Sequence, residues 1–268
     1  MKRALLLLTI QLLAFWEVWQ WYVYRAVYSW DQPWGILAFV TALAFLLAPR
    51  TTSPSPERSL FAPALLITVY AGTYFLFPPL IRAAIAFTAL AATTSSIRFG
   101  RLFHPGLFGL FYLSLPTIPT LQFFGGYPMR VVVAAVTAPI LRLNGFAVTY
   151  EGTCLNWAGQ LIWIDAPCSG IKMLWVGLFL TFVILCLYEL PLLKTMVLLP
   201  LVAIVIMGAN VFRAVALFYL EAGVVKLPWW GHEYAGLVAF ALEAAGILGV
   251  VLMLRRRGNV CAVATSST

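Results

Sequence analysis

Charge is scarce in this chain. Asp and Glu together number 9 in 268 residues, Lys and Arg 17, and charged residues of either sign make up only 10%. A soluble globular domain carries roughly 25%, so an ordinary soluble fold is excluded. Histidine occurs only twice, at His104 and His232. The four cysteines, Cys154, Cys168, Cys186 and Cys261, show no CxxC step and no Cys/His ligand spacing, which argues against a structural metal site. No glycine-rich phosphate loop follows a strand, so no cofactor is expected. Long polar segments are missing too: the longest stretch that cannot lie in a bilayer is about 25 to 40 residues, below ordinary domain size.

What remains is apolar. Hydrophobic residues make up 63% of the chain, gathered into runs near or above the roughly 20 residues a helix needs to cross a bilayer. The net charge of +8 would suggest nucleic acid in a soluble protein. Here the basic residues stand singly or in pairs at the ends of apolar runs, with one cluster at Arg255, Arg256 and Arg257, so they read as topology signals and no nucleic-acid partner is expected.

The expected architecture is an all-α polytopic membrane protein of about eight transmembrane helices, with a short extracytoplasmic β-hairpin-like insertion before helix six. Met1-Lys2-Arg3 opens a retained anchor rather than a cleaved signal, because the run continues through Trp16, Trp19, Trp21 and Tyr24 with no small-residue cleavage site. Helix one covers about Ala4 to Tyr24, helix two Trp34 to Ala48, then a polar linker Pro49 to Ser59. Helix three runs from Leu60 to Phe77, Pro78-Pro79 turns the chain, and helix four continues to about Thr94. Helix five spans Pro105 to Phe124, kinked by Pro116 and Pro119. Between Gly125 and Pro167 a shallow amphipathic helix, Met129 to Leu143, precedes two short strands, Gly145 to Tyr150 and Leu161 to Ile164. Helices six (Ser169 to Tyr188), seven (Thr195 to Ala222) and eight (Glu233 to Leu254) follow, with the interfacial Pro228-Trp229-Trp230 between the last two. The chain is read as a single integral membrane domain: 1–124 for helices one to five, 125–167 for the outer segment, 168–254 for helices six to eight, and 255–268 as a cytoplasmic tail.

Counting charges sets the orientation. With both ends cytoplasmic, the inner segments hold Lys2, Arg3, Arg50, Arg58, Arg98, Arg101, Lys194, Arg255, Arg256 and Arg257, ten of the seventeen basic residues. The start of helix six then faces outward and His104 faces the cytoplasm.

That start is the stretch Asp165-Ala166-Pro167-Cys168-Ser169-Gly170-Ile171-Lys172. A cysteine at a helix N-terminus meets the positive end of the helix dipole and free N–H groups, and Lys172 one turn on adds a second positive charge, all favouring the nucleophilic thiolate. The plainer account is a small apolar packing residue, or a disulfide with Cys154. Arg213, in Asn210-Val211-Phe212-Arg213 of helix seven, is a charge inside an apolar span and needs a partner or a task; an interhelical bond to a carbonyl or to Glu221 is its structural account. His232 stands at the outer entrance to helix eight, where an interfacial histidine beside aromatic residues is ordinary. Together, however, the three place a nucleophile, a cation and a general acid/base at one membrane depth on three consecutive helices. Asn210, one turn from Arg213 on the same face, orients either partner.

Ala166-Pro167-Cys168-Ser169-Gly170-Ile171, then Asn210-x-x-Arg213, then His232 with Gly236 beyond it, resembles in order the exosortase/archaeosortase family of membrane transpeptidases, over about residues 145 to 240. The resemblance implies a cysteine peptidase/transpeptidase with Cys168, Arg213 and His232 as catalytic residues and Asn210, Ser169 and Lys172 in support. It also implies a multi-pass protein of the cytoplasmic membrane, its site on the extracytoplasmic side. Its partners would be exported proteins with a C-terminal sorting tail, the lipid bilayer, and an envelope polysaccharide or lipid as acceptor. Two other readings stay open at this point. One is a transporter or flippase holding an anionic substrate through Arg213 and Lys172; the other is a non-catalytic assembly protein.

Overall fold

In a computed structural model of the protein, the residues described are 2–28, 33–48, 61–226, 228 and 230–265, with side chains over 5–28, 34–48, 61–226, 228 and 230–255. The expected linker Pro49 to Ser59, Trp229, and the side chains of Lys2, Arg3, Arg256, Arg257 and Cys261 lie outside them. The described residues form ten α-helices, one three-stranded sheet and a short 3-10 turn. Five helices are long and apolar enough to cross a membrane: α5 (Pro79–Phe99), α7 (Ile118–Leu143), α8 (Ile171–Tyr188), α9 (Leu192–Glu221) and the Gly231–Arg255 part of α10 (Gly231–Thr265). The expected count of eight spans is thus not reached by length and composition alone. Helix one is divided at Phe15 into α1 (Lys2–Ala14) and α2 (Trp16–Tyr28), helix two becomes the 15-residue α3 (Pro33–Leu47), and helix three the 12-residue α4 (Phe61–Gly72).

The expected helix five is broken. α6 (Pro105–Ser114) stops at Leu115, which is extended (φ −65°, ψ 145°), as the residue before a proline prefers. α7 restarts at Ile118, with Pro119 in the first turn where a missing N–H costs nothing. It then runs unbroken to Leu143, absorbing the separate amphipathic helix expected over Met129 to Leu143, with Pro128 and Pro139 inside it.

The chain falls into two compact units: Met1–Thr117 with Thr181–Glu189, and Ile118–Leu180 with Leu190–Thr268. In the first, α5 is the central helix. Ala83, Ala86, Ala89, Ala91, Ala92, Thr93, Thr94 and Ser95 are all buried, and such small side chains let neighbouring backbones approach closely where apolar solvent supplies no driving force. Aromatic rings fill the remaining space: Phe87 lies within 5.6–6.1 Å of Trp19, Tyr22, Phe39 and Phe111.

In the second unit the sheet rests against α7 and α9. The two strands expected are three: β1 (Thr149–Glu151), β2 (Cys154–Trp157) and β3 (Gln160–Trp163), antiparallel in that order, with Glu151 opposite Cys154 and Trp157 opposite Gln160. Each connection is two residues long. Ala158 and Gly159 both have positive φ (52° and 82°), the pattern that matches the twist of a tight hairpin. Leu155, Val148 and Ile164 are buried with Val133, Ala134, Ala138 and Leu141 of α7 and with Ala214 and Phe218 of α9. α9 and α10 run antiparallel, tied by Lys194 Nζ donating to the Leu254 carbonyl (3.0 Å) and by the His232–Glu221 pair (3.1 Å). Between these ties Gly236 faces Arg213, where a Cβ would make an ordinary contact 3.7 Å from Nε.

Candidate active site around Cys168

Cys168 does not begin the long helix. It sits in a single 3-10 turn, Ala166–Ser169, closed by Gly170 in the left-handed region (φ 83°), and α8 starts at Ile171. The turn closes with Cys168 N–H donating to the Asp165 carbonyl (2.8 Å). Such a turn leaves its carbonyls without intrahelical partners, and three side chains from α7 and α9 supply them. Gln122 Nε2 donates to Ala166 O (3.2 Å), Arg213 Nη1 to Pro167 O (3.2 Å), and Asn210 Nδ2 to Cys168 O (3.2 Å). Ser169 Oγ then donates back to Gln122 Oε1 (3.1 Å). Gly170 is required twice, by its φ and because a Cβ there would lie 2.8 Å from Asn210 Nδ2.

The thiol is half-buried against the apolar cluster of α7, α9 and the sheet. That burial pushes its pKa above the ordinary value; the Arg213 guanidinium, also within hydrogen-bonding reach of the sulfur, pulls it back, and the Asp165 carboxylate pushes it up again. The positive end of α8 expected to favour the thiolate is thus opposed by burial, and the left-handed Gly170 stands between the cysteine and the first residue of α8. Lys172 is exposed in the first turn of α8.

Cys168, Ser169, Asn210 and Arg213 thus come together. His232 is at the first turn of α10, exposed, with its Nε2 engaged by Glu221 Oε1, so the acid considered for Arg213 holds the histidine instead. No hydrogen bond joins His232 to Cys168 among the described residues. Cys154 on β2 and Cys168 are both free thiols, which removes the disulfide alternative. Gln122 and Glu243 are polar residues that the sequence reading does not single out. Gln122 is a lone amide in an apolar run. Glu243 is a carboxyl in the span of α10, 1% exposed, with neither oxygen hydrogen-bonded among the described residues and Oε1 against Gly177 of α8. Among the described residues no three His, Cys, Asp or Glu side chains gather as metal ligands would.

A membrane protein whose cysteine is held in a pinned turn beside an arginine fits the sorting-enzyme class. The family model for transmembrane exosortases matches residues 2–249, nearly the whole chain, and the protein belongs to that family. It is accordingly a multi-pass membrane protein of the sorting-enzyme kind, and the transporter alternative finds no support. No curated protein and no solved structure matches the chain.

Proposed function

We propose that the protein is a cysteine peptidase/transpeptidase of the cytoplasmic membrane. It would cleave the C-terminal sorting signal of exported proteins on the extracytoplasmic side and pass them to an envelope polysaccharide or lipid acceptor. The observation that carries this reading is the turn itself: three successive carbonyls, the last that of Cys168, are each held by a different side chain, one of them a guanidinium. Positioning a nucleophile in this way is worth several kcal/mol of barrier.

Because burial raises the thiol, a base must take its proton as the sulfur attacks. In this mechanism His232, steadied through Nε2 by Glu221, receives the thiol proton at Nδ1 by way of a water, since no hydrogen bond joins the two side chains, as the Cys168 sulfur bonds to the substrate carbonyl carbon. Arg213 stabilises the charge developing on sulfur and oxygen. The carbon–nitrogen bond then breaks, the departing amine takes the proton from the imidazolium, and water or an acceptor amine or hydroxyl resolves the thioester. The outer edge of β3, with Leu161 and Trp163 exposed, offers a strand against which the sorting signature can lie.

Co-expression with an exported protein bearing a sorting tail tests the reading. The wild type removes the tail and Cys168→Ala leaves it in place. Continued removal by Cys168→Ala overturns it.

A further inference from the structure

The end of α5 and the start of α6 hold a second polar cluster, within the first unit, that the sorting reaction does not use. Gly100 (φ 64°) ends α5 and reverses the chain, and Ser95 Oγ locks the reversal by donating to Arg101 O (2.6 Å). The reversal sets three cations or imidazoles around one ring. His104 stacks on Phe99 at 3.8 Å and 15°, while the guanidiniums of Arg98 and Arg101 lie 5.5 and 5.8 Å from the same centroid.

What sets this cluster apart is the number of donors with nothing to donate to. Arg98 Nε, Arg101 Nε and Nη2, and His104 Nε2 are all buried and have no hydrogen-bond partner among the described residues. His104 is 1% exposed. Its Nδ1 accepts the Leu107 N–H (3.4 Å) and caps α6, so the proton is on Nε2, at the other edge of the ring. Burial, and then the two arginines, hold the imidazole near a pKa of about 3, which keeps it neutral. Among the described residues neither arginine forms an ion pair with a carboxylate; Glu189, exposed after α8, makes none with them. Buried donors are almost always satisfied, and a cluster of exceptions calls for an acceptor from outside the chain, an ordered water, an ion or another group.

We propose that Arg98, Arg101 and His104 form a binding site for a phosphate group. Planar guanidinium forks match the oxygens of phosphate, neither arginine is ion-paired among the described residues, and the neutral Nε2–H adds a third donor. Arg98 is in the last turn of a helix long enough to cross the bilayer, the depth of lipid headgroups, where basic pockets between helices hold anionic lipids. A phospholipid phosphate and free phosphate share this chemistry, and the two are separated by experiment.

The full-length protein, purified in neutral detergent, is melted with inorganic phosphate, with phosphatidylglycerol micelles, and with phosphatidylcholine micelles. The wild type is expected to gain several degrees in melting midpoint with phosphatidylglycerol over phosphatidylcholine. A gain with inorganic phosphate as well assigns the site to phosphate in general; a gain with the lipid alone assigns it to headgroups. Arg101→Gln should lose most of the gain, whereas Arg142→Gln, which removes an exposed arginine at the end of α7, should keep it. His104→Asn retains a capping oxygen for Leu107 while removing Nε2–H, and should lose part of the gain even if Arg101→Gln fails to accumulate. No gain in the wild type with either phosphate source, or equal gains in Arg101→Gln, His104→Asn and Arg142→Gln, overturns the proposal.

Discussion

Around the turn Ala166–Ser169, each side-chain donor that reaches in finds a carbonyl: Gln122 takes Ala166, Arg213 takes Pro167 and Asn210 takes Cys168. Around Phe99, two arginines and a histidine of similar donor chemistry hold N–H groups that find no acceptor among the described residues. The first arrangement directs its donors to the backbone, and the product is a rigid shape with the thiol placed on it. The second leaves donors unused, and the product is a deficit of acceptors. Net hydrogen-bond energies of about 1 kcal/mol apiece do not separate the two cases; the penalty for a buried donor left unmade, about 1–3 kcal/mol, does. Internal satisfaction thus marks where the protein builds geometry, and a gathering of unmet donors of one kind marks where it is open to an outside acceptor.

The sharpest way to break the pinned turn is at its hinge. Gly170→Ala puts a Cβ into a left-handed residue and within 2.8 Å of Asn210 Nδ2, so both the φ and the Asn210 bond to Cys168 O are lost. Strain of about 1–3 kcal/mol is expected in thermal melts, and displacing the sulfur by even an ångström should slow tail removal on the order of 100-fold. A variant that melts lower yet processes at the wild-type rate would show that the reaction does not depend on the turn's shape.

A milder change tests the electrostatics without moving the chain. Since burial raises the Cys168 thiol and Arg213 opposes it, alkylation of Cys168 by iodoacetamide should climb with pH through the range above the ordinary thiol value. Removing the guanidinium in Arg213→Gln takes away a downward pull, so the midpoint must move higher still. At a fixed pH below that midpoint, labelling should fall about tenfold for every pH unit by which it rises, measured against the Cys168→Ala background. An unchanged profile would mean that Arg213 serves the Pro167 carbonyl alone.

How much of this is legible in the chain differs by element. α9, expected over Thr195 to Ala222 and found over Leu192–Glu221, is readable because its apolar run is closed by charges. Leu115-Pro116 suggests a kink as readily as the break that is found there, since a proline is consistent with either and only packing decides. β2 is hidden because the turn after it depends on Ala158 at φ 52°, a conformation no residue type there announces. Asn210 and Arg213 are legible as a polar pair in helical register within an apolar run, and Cys168 and Ser169 as the polar start of another. Gln122 reaches them from 44 and 47 residues away, and no local pattern links such positions. The placement of Cys168 ahead of α8 and not in it is hidden for a related reason: the left-handed Gly170 between them is visible as a glycine but not as a φ.

Glu243 gives the subtlest test of the contrast, because it is a deficit of the opposite sign. As a charged residue type in an apolar span, it carries the same signal in the sequence as Arg213. Its carboxyl is buried in the α10 span against Gly177 of α8, and neither oxygen is bonded among the described residues. A polar group in that state costs more than an apolar one of equal shape. Glu243→Met, similar in length and without a polar oxygen, should therefore leave the melting point unchanged or raise it by the equivalent of about 1 kcal/mol, and should leave tail removal intact. If Glu243→Met instead melts well below the wild type, the carboxyl has a partner in the membrane-embedded protein. The rule that unmet polar atoms point to an outside group would then have to be applied to α10 as well as to the arginines around Phe99.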